Sequence, residues 1–249
     1  MRLFLTIAFI SFSILGFSQT NLPYNVGEYA AYKISFGPIN VGYAELEVKE
    51  IIYVNNIPSF HIIGKGRTAP FFDWVFKVRD VYETFIDTST LLPLAFNREV
   101  REGRHMISQH YNFNHNNVVT QDSTFDIPIQ TQDMLSAFFY ARTFKKDSVL
   151  NGGSFYIPIF MDDENYFLEI KYLKNEVIKT KWGKIDCMVF KPRMQEGRIF
   201  EDGEEMKIWI SDDKNHLLLR VETKIWTGII KAVLQDYKYL KHPLSIIEE

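Results

Sequence analysis

The sequence predicts a mainly β fold, a strongly curved antiparallel sheet or partly open barrel with one apolar helix packed in its concave side. Three observations carry this reading. Apolar and polar residues alternate with period two along much of the chain, turn signals separate the alternating runs, and one segment is apolar at helical spacing instead.

The elements follow in chain order. Arg2 precedes an uncharged stretch, Leu3 to Phe17, and Gly16 and Ser18 place small residues at the two key positions of a cut after Ser18. That is the pattern of a secretory signal peptide, residues 1–18. The stretch is shorter than the roughly 20 apolar residues of a membrane span and is interrupted by Thr6, Ser11 and Ser13. Cleavage exposes Gln19, and the absence of a nearby Cys excludes lipid attachment there. Residues 19–249 are expected to form a single β-rich domain, exported to the periplasm and without a transmembrane span.

Within that domain Ala30 to Phe36 places apolar residues at even positions, and Gly42, Ala44, Leu46 and Val48 alternate with Tyr43, Glu45, Glu47 and Lys49. Similar alternation spans Val78 to Asp87, Tyr166 to Tyr172, Met206 to Ile210 and Leu217 to Ile225. Half-buried strands read this way. Between them stand Gly37-Pro38, Asn55-Asn56, His115-Asn116-Asn117, Asp162-Asp163, Trp182-Gly183 and Asp212-Asp213, which favour hairpins over βαβ crossovers. Asp133 to Lys146 is the helix: Thr131 or Asp133 can cap its start, and Lys145 and Lys146 suit its carbonyl end. Met134, Leu135, Phe138, Phe139, Ala141 and Phe144 cover too wide an arc for a helix lying on a surface, so it enters the concavity of the sheet. A second, shorter turn is read at Pro70 to Phe76.

Composition bounds the function. Twenty-eight Lys and Arg nearly balance 31 Asp and Glu, for a net charge of −3, and no basic run exceeds two residues, so nucleic acid is not an expected partner. With 46% apolar and 15% aromatic residues the chain is not disordered. The single Cys187 cannot form an internal disulfide; flanked by Ile185 and Val189 on its own face, it reads as a small buried hydrophobe.

Chemical motifs are weak throughout. His105, His110 and His115 recur at an odd spacing that sends successive residues to opposite faces of a strand, so they do not converge on a metal. Asp162-Asp163-Glu164 and Asp212-Asp213 read as turn chemistry before calcium or acid–base work. No Gly-x-Ser-x-Gly, Ser-x-x-Lys or His-Glu-x-x-His occurs, although a triad assembled in space stays open. No cofactor or metal is expected. Arg98, Arg101 and Arg104, interleaved with Glu99 and Glu102, read first as a solvated edge strand and second as a lining for an anionic ligand. Phe71-Phe72-Asp73-Trp74-Val75-Phe76 holds more aromatic surface than one short turn can bury on a single face. Plugging the core is the first expectation for it, and an exposed apolar rim the alternative.

Val26-Gly27-Glu28 with Tyr32, Gly42-Tyr43-Ala44, Asp80 with Tyr82, Ile86-Asp87 and Leu92-Pro93 form an ordered series. It continues through Asp133-Met134-Leu135-Ser136 with Arg142, then Trp209-Ile210-Ser211-Asp212-Asp213 with Glu222-Thr223 and Gly228. In order and spacing this series resembles the exported bacterial family known as domain of unknown function 3108, across almost the whole mature chain. Leu218 stands where that family often has Pro. The resemblance implies a periplasmic, mainly antiparallel β protein with a curved or barrel-like sheet, and no activity.

Two functions from different classes follow. The first is a non-enzymatic periplasmic module that binds a lipid-like or other small hydrophobic molecule, or docks an envelope protein. Phe71, Phe72, Trp74 and Phe76 would form its lip, and Phe138 and Phe139 its interior. The second is a hydrolase acting on cell-envelope material, whose best residues would be Asp212, Asp213 and His216 converging beside Arg220.

Overall fold

A computed structural model describes residues 22–148, 153–194 and 205–247; the expected cut after Ser18 lies outside the described residues. The first half of the chain forms β1 (Tyr29–Phe36), β2 (Ile39–Val54), β3 (Ile57–Thr68), β4 (Arg79–Asp87), β5 (Pro93–Glu102), β6 (His105–Phe113), β7 (Asn117–Val119) and β8 (Thr124–Asp126). After α1 (Met134–Ala141) come β9 (Ser154–Met161), β10 (Glu164–Thr180), β11 (Gly183–Met194), β12 (Glu205–Ser211), β13 (Leu218–Ile225) and β14 (Gly228–Lys238). All pair antiparallel in one open 14-stranded sheet of order β8-β7-β6-β5-β4-β3-β2-β1-β14-β13-β12-β11-β10-β9. The expected curved antiparallel sheet with an apolar helix is therefore what the chain forms.

Turn chemistry sets the hairpins. Asn55 and Asn56 between β2 and β3, and Asp162 and Asp163 between β9 and β10, all adopt positive φ. Tight two-residue hairpins require this, and Asn and Asp tolerate it best after glycine. Register shifts at Ala31/Tyr32, Val48/Glu50 and Trp209/Ile210 are among the irregularities that bend the strands. The sheet curls until its two ends meet: Phe160 of β9 packs on Tyr111 of β6 and Phe125 of β8 at centroid distances of 5.2 and 5.4 Å. Asn165 Nδ2 donates to the Asp126 carbonyl across the same seam. The free edge of β9 is covered by Gln132, whose amide donates to the Pro158 carbonyl and whose carbonyl accepts from Phe160.

The helix lies inside this curl and packs on β4 and β9. Leu135 and Phe139 join a core with Val48, Ile62, Phe96 and Tyr111, whereas Ala137 joins another with Ile157, Ile159, Met188 and Ile210. Two cores on opposite flanks explain why the helix is apolar nearly all round. It is also shorter than expected. It ends with Arg142 as its C-cap, not at Lys146, because the Arg142 guanidinium is held in the interior while Thr143 Oγ1 turns back to the Tyr140 carbonyl. Lys146 pairs with Asp212 instead of lying along the dipole.

A second correction concerns β5. It pairs with β4 on one side and β6 on the other, so it is not an edge strand. Its two polar faces have separate uses: Arg98 points inward to the β9–β10 turn, 2.8 Å from Asp162, while Arg101 is exposed on the outer face.

Candidate functional site

The interior holds polar residues that span the sheet. Asp133 caps α1: its Oδ1 accepts from the amides of Leu135 and Ser136 at 2.8 Å, and Oδ2 accepts from Thr84 Oγ1 at 2.6 Å. Ser136 Oγ accepts in return from the Asp133 amide, completing a capping box. Complete burial pushes the Asp133 carboxyl up to about 6, even though each of these hydrogen bonds pulls it down.

At the other end of the helix, Arg142 makes a two-pronged pair with Glu28, Nη1 to Oε1 at 2.6 Å and Nη2 to Oε2 at 3.1 Å. Both side chains are almost fully buried. The guanidinium also donates to the Asn215 carbonyl and lies over the rings of Tyr24 and Phe139. Its own carbonyl meets His216 Nδ1 at 2.6 Å. Burial raises the Tyr24 phenol above its ordinary range.

Beside this framework lies an apolar cavity of about 40 Å³, lined by Phe138, Phe144, Phe155, Met188, Phe190 and Ile210 among others. A volume of this size admits one or two waters, whereas small-molecule sites occupy roughly 300–1,000 Å³. Phe138 borders it. Phe139 does not: it is buried against Tyr24, edge to face at 5.1 Å. The six residues expected to act together are therefore divided.

The Phe71 to Phe76 segment stands elsewhere, in the β3–β4 connection, and does not plug the core. Phe71, Trp74, Val75 and Phe76 are exposed, at 73, 78, 62 and 51%, and Phe72 is half-buried. The segment is nevertheless held in place. Asp73 accepts from Thr68 Oγ1 at 2.6 Å and takes both Arg79 guanidinium nitrogens, which hold its carboxyl down at about 2. Amides of Phe72, Val75 and Phe76 close short-range turns within it. With the backbone committed to these bonds and Asp73 turned inward, the aromatic rings have only the outer side left.

The residues of the hydrolase reading are spent on structure. Asp213 accepts from Ser211 Oγ and the Asn215 and Ser245 amides, and Asp212 accepts from Lys146 and Asn175. Arg220 lies over the Trp209 ring and faces Glu222, away from this turn's hydrogen bonds. His110 meets Asn97, and His105 is exposed. Among the described residues no group of three or more His, Cys, Asp or Glu is placed to hold a metal ion. Cys187 is buried, its thiol pushed up to about 12 by desolvation, as befits a small hydrophobe.

Glu28, Asp133, Arg142, Ser211 and Asp213 are all members of the ordered series of weak motifs in the sequence, and they are the residues that anchor the helix and close the β12–β13 turn. The sequence profile of the family described as Protein of unknown function (DUF3108) matches residues 31–235. The chain belongs to this family. In this chain that ordered series thus describes a largely buried framework, with Leu218 fitted into β13, where its carbonyl accepts from Tyr32.

One solved structure is similar in fold. A β-barrel-like protein of domain of unknown function DUF1849 from Brucella abortus superposes with a TM-score of 0.57 at 10% identity, covering 87% of this chain and 99% of that one. A candidate lipoprotein from Parabacteroides distasonis gives 0.40 at 12% identity, and a candidate exported protein with a YmcC-like fold from Bacteroides fragilis gives 0.33 at 12%. Each of these two covers 88% of this chain and 98% of the other. No curated protein matches the chain.

Proposed function

We propose that this protein is an exported, non-enzymatic module of the periplasm that docks an envelope partner through the aromatic segment Phe71 to Phe76. The observation that carries this reading is the contrast in filling. Large aromatics are pinned outward at one end of the sheet, while the apolar cavity under α1 measures about 40 Å³. Contiguous exposed apolar surface of this kind is costly in water and marks interaction sites. The leader over residues 1–18 supports export, and the anchoring role of Asp213 and His216 leaves the hydrolase reading without its residues.

Carriage of a hydrophobic small molecule is the weaker reading, because each buried methylene needs room that this cavity lacks. A titration with fatty acids of increasing length, followed by tryptophan fluorescence, should therefore show no chain-length dependence. A photo-crosslinking residue at position 75 should give adducts in the envelope of living cells, and one at Ser108 on the outer face of β6 should not. A graded rise of affinity with acyl length, without adducts at position 75, would overturn docking in favour of carriage.

A further inference from the structure

Strand direction places more than one aromatic turn on the same edge of the sheet. The β1–β2, β3–β4, β5–β6 and β13–β14 connections all leave the sheet at the same end, and their strands are consecutive in the order β6-β5-β4-β3-β2-β1-β14-β13. They also touch. The Phe36 ring lies so close to Gly228 that a Cβ there would meet it at 2.9 Å, the Ala69 amide donates to the Val41 carbonyl, and the Phe76 ring covers Gly103. The result is one continuous crest carrying Phe71, Trp74, Val75, Phe76 and, at 91% exposure, Trp226, with the exposed Met106 on β6 behind it. Both exposed tryptophans of the described residues stand on it.

Behind the crest lies a second layer, of opposite chemistry. Lys65, Arg67, Lys77, Arg101 and Arg104 are exposed, and among the described residues none has an ion-pair partner. Arg67 stands opposite Arg79 in register, and Arg101 opposite Met106, so these two cations run across the outer face on the strands, inside the turns that carry Trp74 and Trp226, while Lys77 and Arg104 lie in the turns. Tyr43, Lys65, Arg67 and Arg79 line a groove of about 230 Å³ there, with Glu45 and Asp80. Of the nearby acids, Asp73 is neutralised by Arg79; Asp80, which accepts from the Arg101 amide, keeps its charge, as do Glu45, Glu99 and Glu102, so five unpaired cations face four acids. The chain as a whole is net negative, so this local excess of unpaired cations stands out against it.

Resting on the docking reading above, we propose that this crest seats the protein on the surface of an anionic phospholipid membrane. Indole and phenyl rings reach the acyl boundary and the cations behind them meet lipid phosphates. The layering selects a bilayer over a protein partner. A protein interface buries its apolar centre inside a polar rim on one surface, whereas here Phe71, Trp74, Val75, Phe76 and Trp226 stand on turns beyond the strand ends, and Lys65, Arg67 and Arg101 are set back on the strands behind them. Tryptophan favours the interfacial depth because its ring is apolar and its N–H polar. Each Lys or Arg close to an anionic surface contributes a roughly fivefold gain in partitioning.

The test is co-sedimentation of the mature chain with vesicles of phosphatidylcholine alone and of equal parts phosphatidylcholine and phosphatidylglycerol. Binding is expected to the anionic vesicles, falling with added salt and accompanied by a blue shift of tryptophan emission. Trp74→Ala with Trp226→Ala should lower it at least about tenfold, and Arg67→Glu with Arg101→Glu comparably. Tyr53→Ala, equally exposed but beside the β2–β3 turn at the opposite end, should leave it unchanged. Absence of vesicle binding, or binding indifferent to both double variants, would overturn the inference. If vesicles fail but a crosslinker at position 75 captures an envelope protein in a Trp74-dependent way, the membrane is the wrong partner and docking stands. If both fail, docking falls as well.

Discussion

The two ends of α1 and the crest invert the usual distribution of residues. Around the helix, where water is excluded, the chain places Glu28, Asp133 and Arg142; on the crest, facing water, it places Phe71, Trp74, Phe76 and Trp226. The interior charges are matched nearly atom for atom, so their burial is compensated by hydrogen bonds from groups fixed in place. The crest aromatics have no such compensation within the chain. A buried polar group with all its partners is explained by the fold itself, whereas an exposed aromatic held outward by Thr68, Asp73 and Arg79 is explained only by something outside it.

The contrast can be broken most forcefully at Glu28. Replacing it with Gln leaves the Arg142 guanidinium buried without its counter-charge, which should cost about 3–5 kcal/mol in denaturant unfolding. Glu28→Gln with Arg142→Met should recover a large part of that loss. A small effect of the single change would mean that the pair is not holding the helix. Phe139→Ala should cost a similar 3–5 kcal/mol as a core truncation. Phe138→Ala, beside an existing cavity and only partly buried, should cost about 2 kcal/mol, and equal losses at the two would contradict their difference in burial.

Asp133 sharpens the comparison through pH. Its carboxyl titrates near 6 in the folded protein against 3.8 ordinarily, so between those values the native state holds a proton that the unfolded chain has released. Stability from this group is therefore greatest below about pH 4 and declines as pH rises through about 6, by on the order of 2–3 kcal/mol. Asp133→Asn keeps a good capping residue and should flatten that slope in urea midpoints measured across the window. An unchanged slope would assign the pH dependence to another group.

The smallest expected effect lies on the crest. Trp74→Ala and Trp226→Ala should each change stability by less than about 0.5 kcal/mol, since neither side chain packs within the fold. A larger loss would show that these rings support the structure and would remove the reason to look for a partner there.

Much of this architecture was legible without coordinates. Period-two alternation marked the strands, Asn55-Asn56 and Asp162-Asp163 marked hairpins, and the all-round apolarity of Met134 to Phe144 placed the helix inside the curl. The Glu28–Arg142 pair was not legible, although both residues stood in the ordered series of motifs, because its partners are 114 positions apart and nothing local joins them. The charged strand Arg98 to Arg104 was misread as an edge for a related reason. Its composition says that both faces are polar but not what lies on either side, and here one face meets Asp162 while the other meets solvent.

What the sequence alone determined are properties set within a few residues: secondary structure, turn type and the cap at Asp133, all governed by backbone dihedrals and short-range hydrogen bonds. Tertiary structure decided which of two compatible environments each side chain received. The Phe71 to Phe76 segment is as apolar as a core, and its pattern is satisfied equally by burial or by a crest. Only the Thr68–Asp73–Arg79 clamp, assembled from β3, the connection and β4, turns its rings outward, and only the parallel exits of four hairpins bring Trp74 and Trp226 onto one edge. Exposure and alignment depend on strand order and register across the whole sheet, and those are fixed by contacts between residues far apart in the chain.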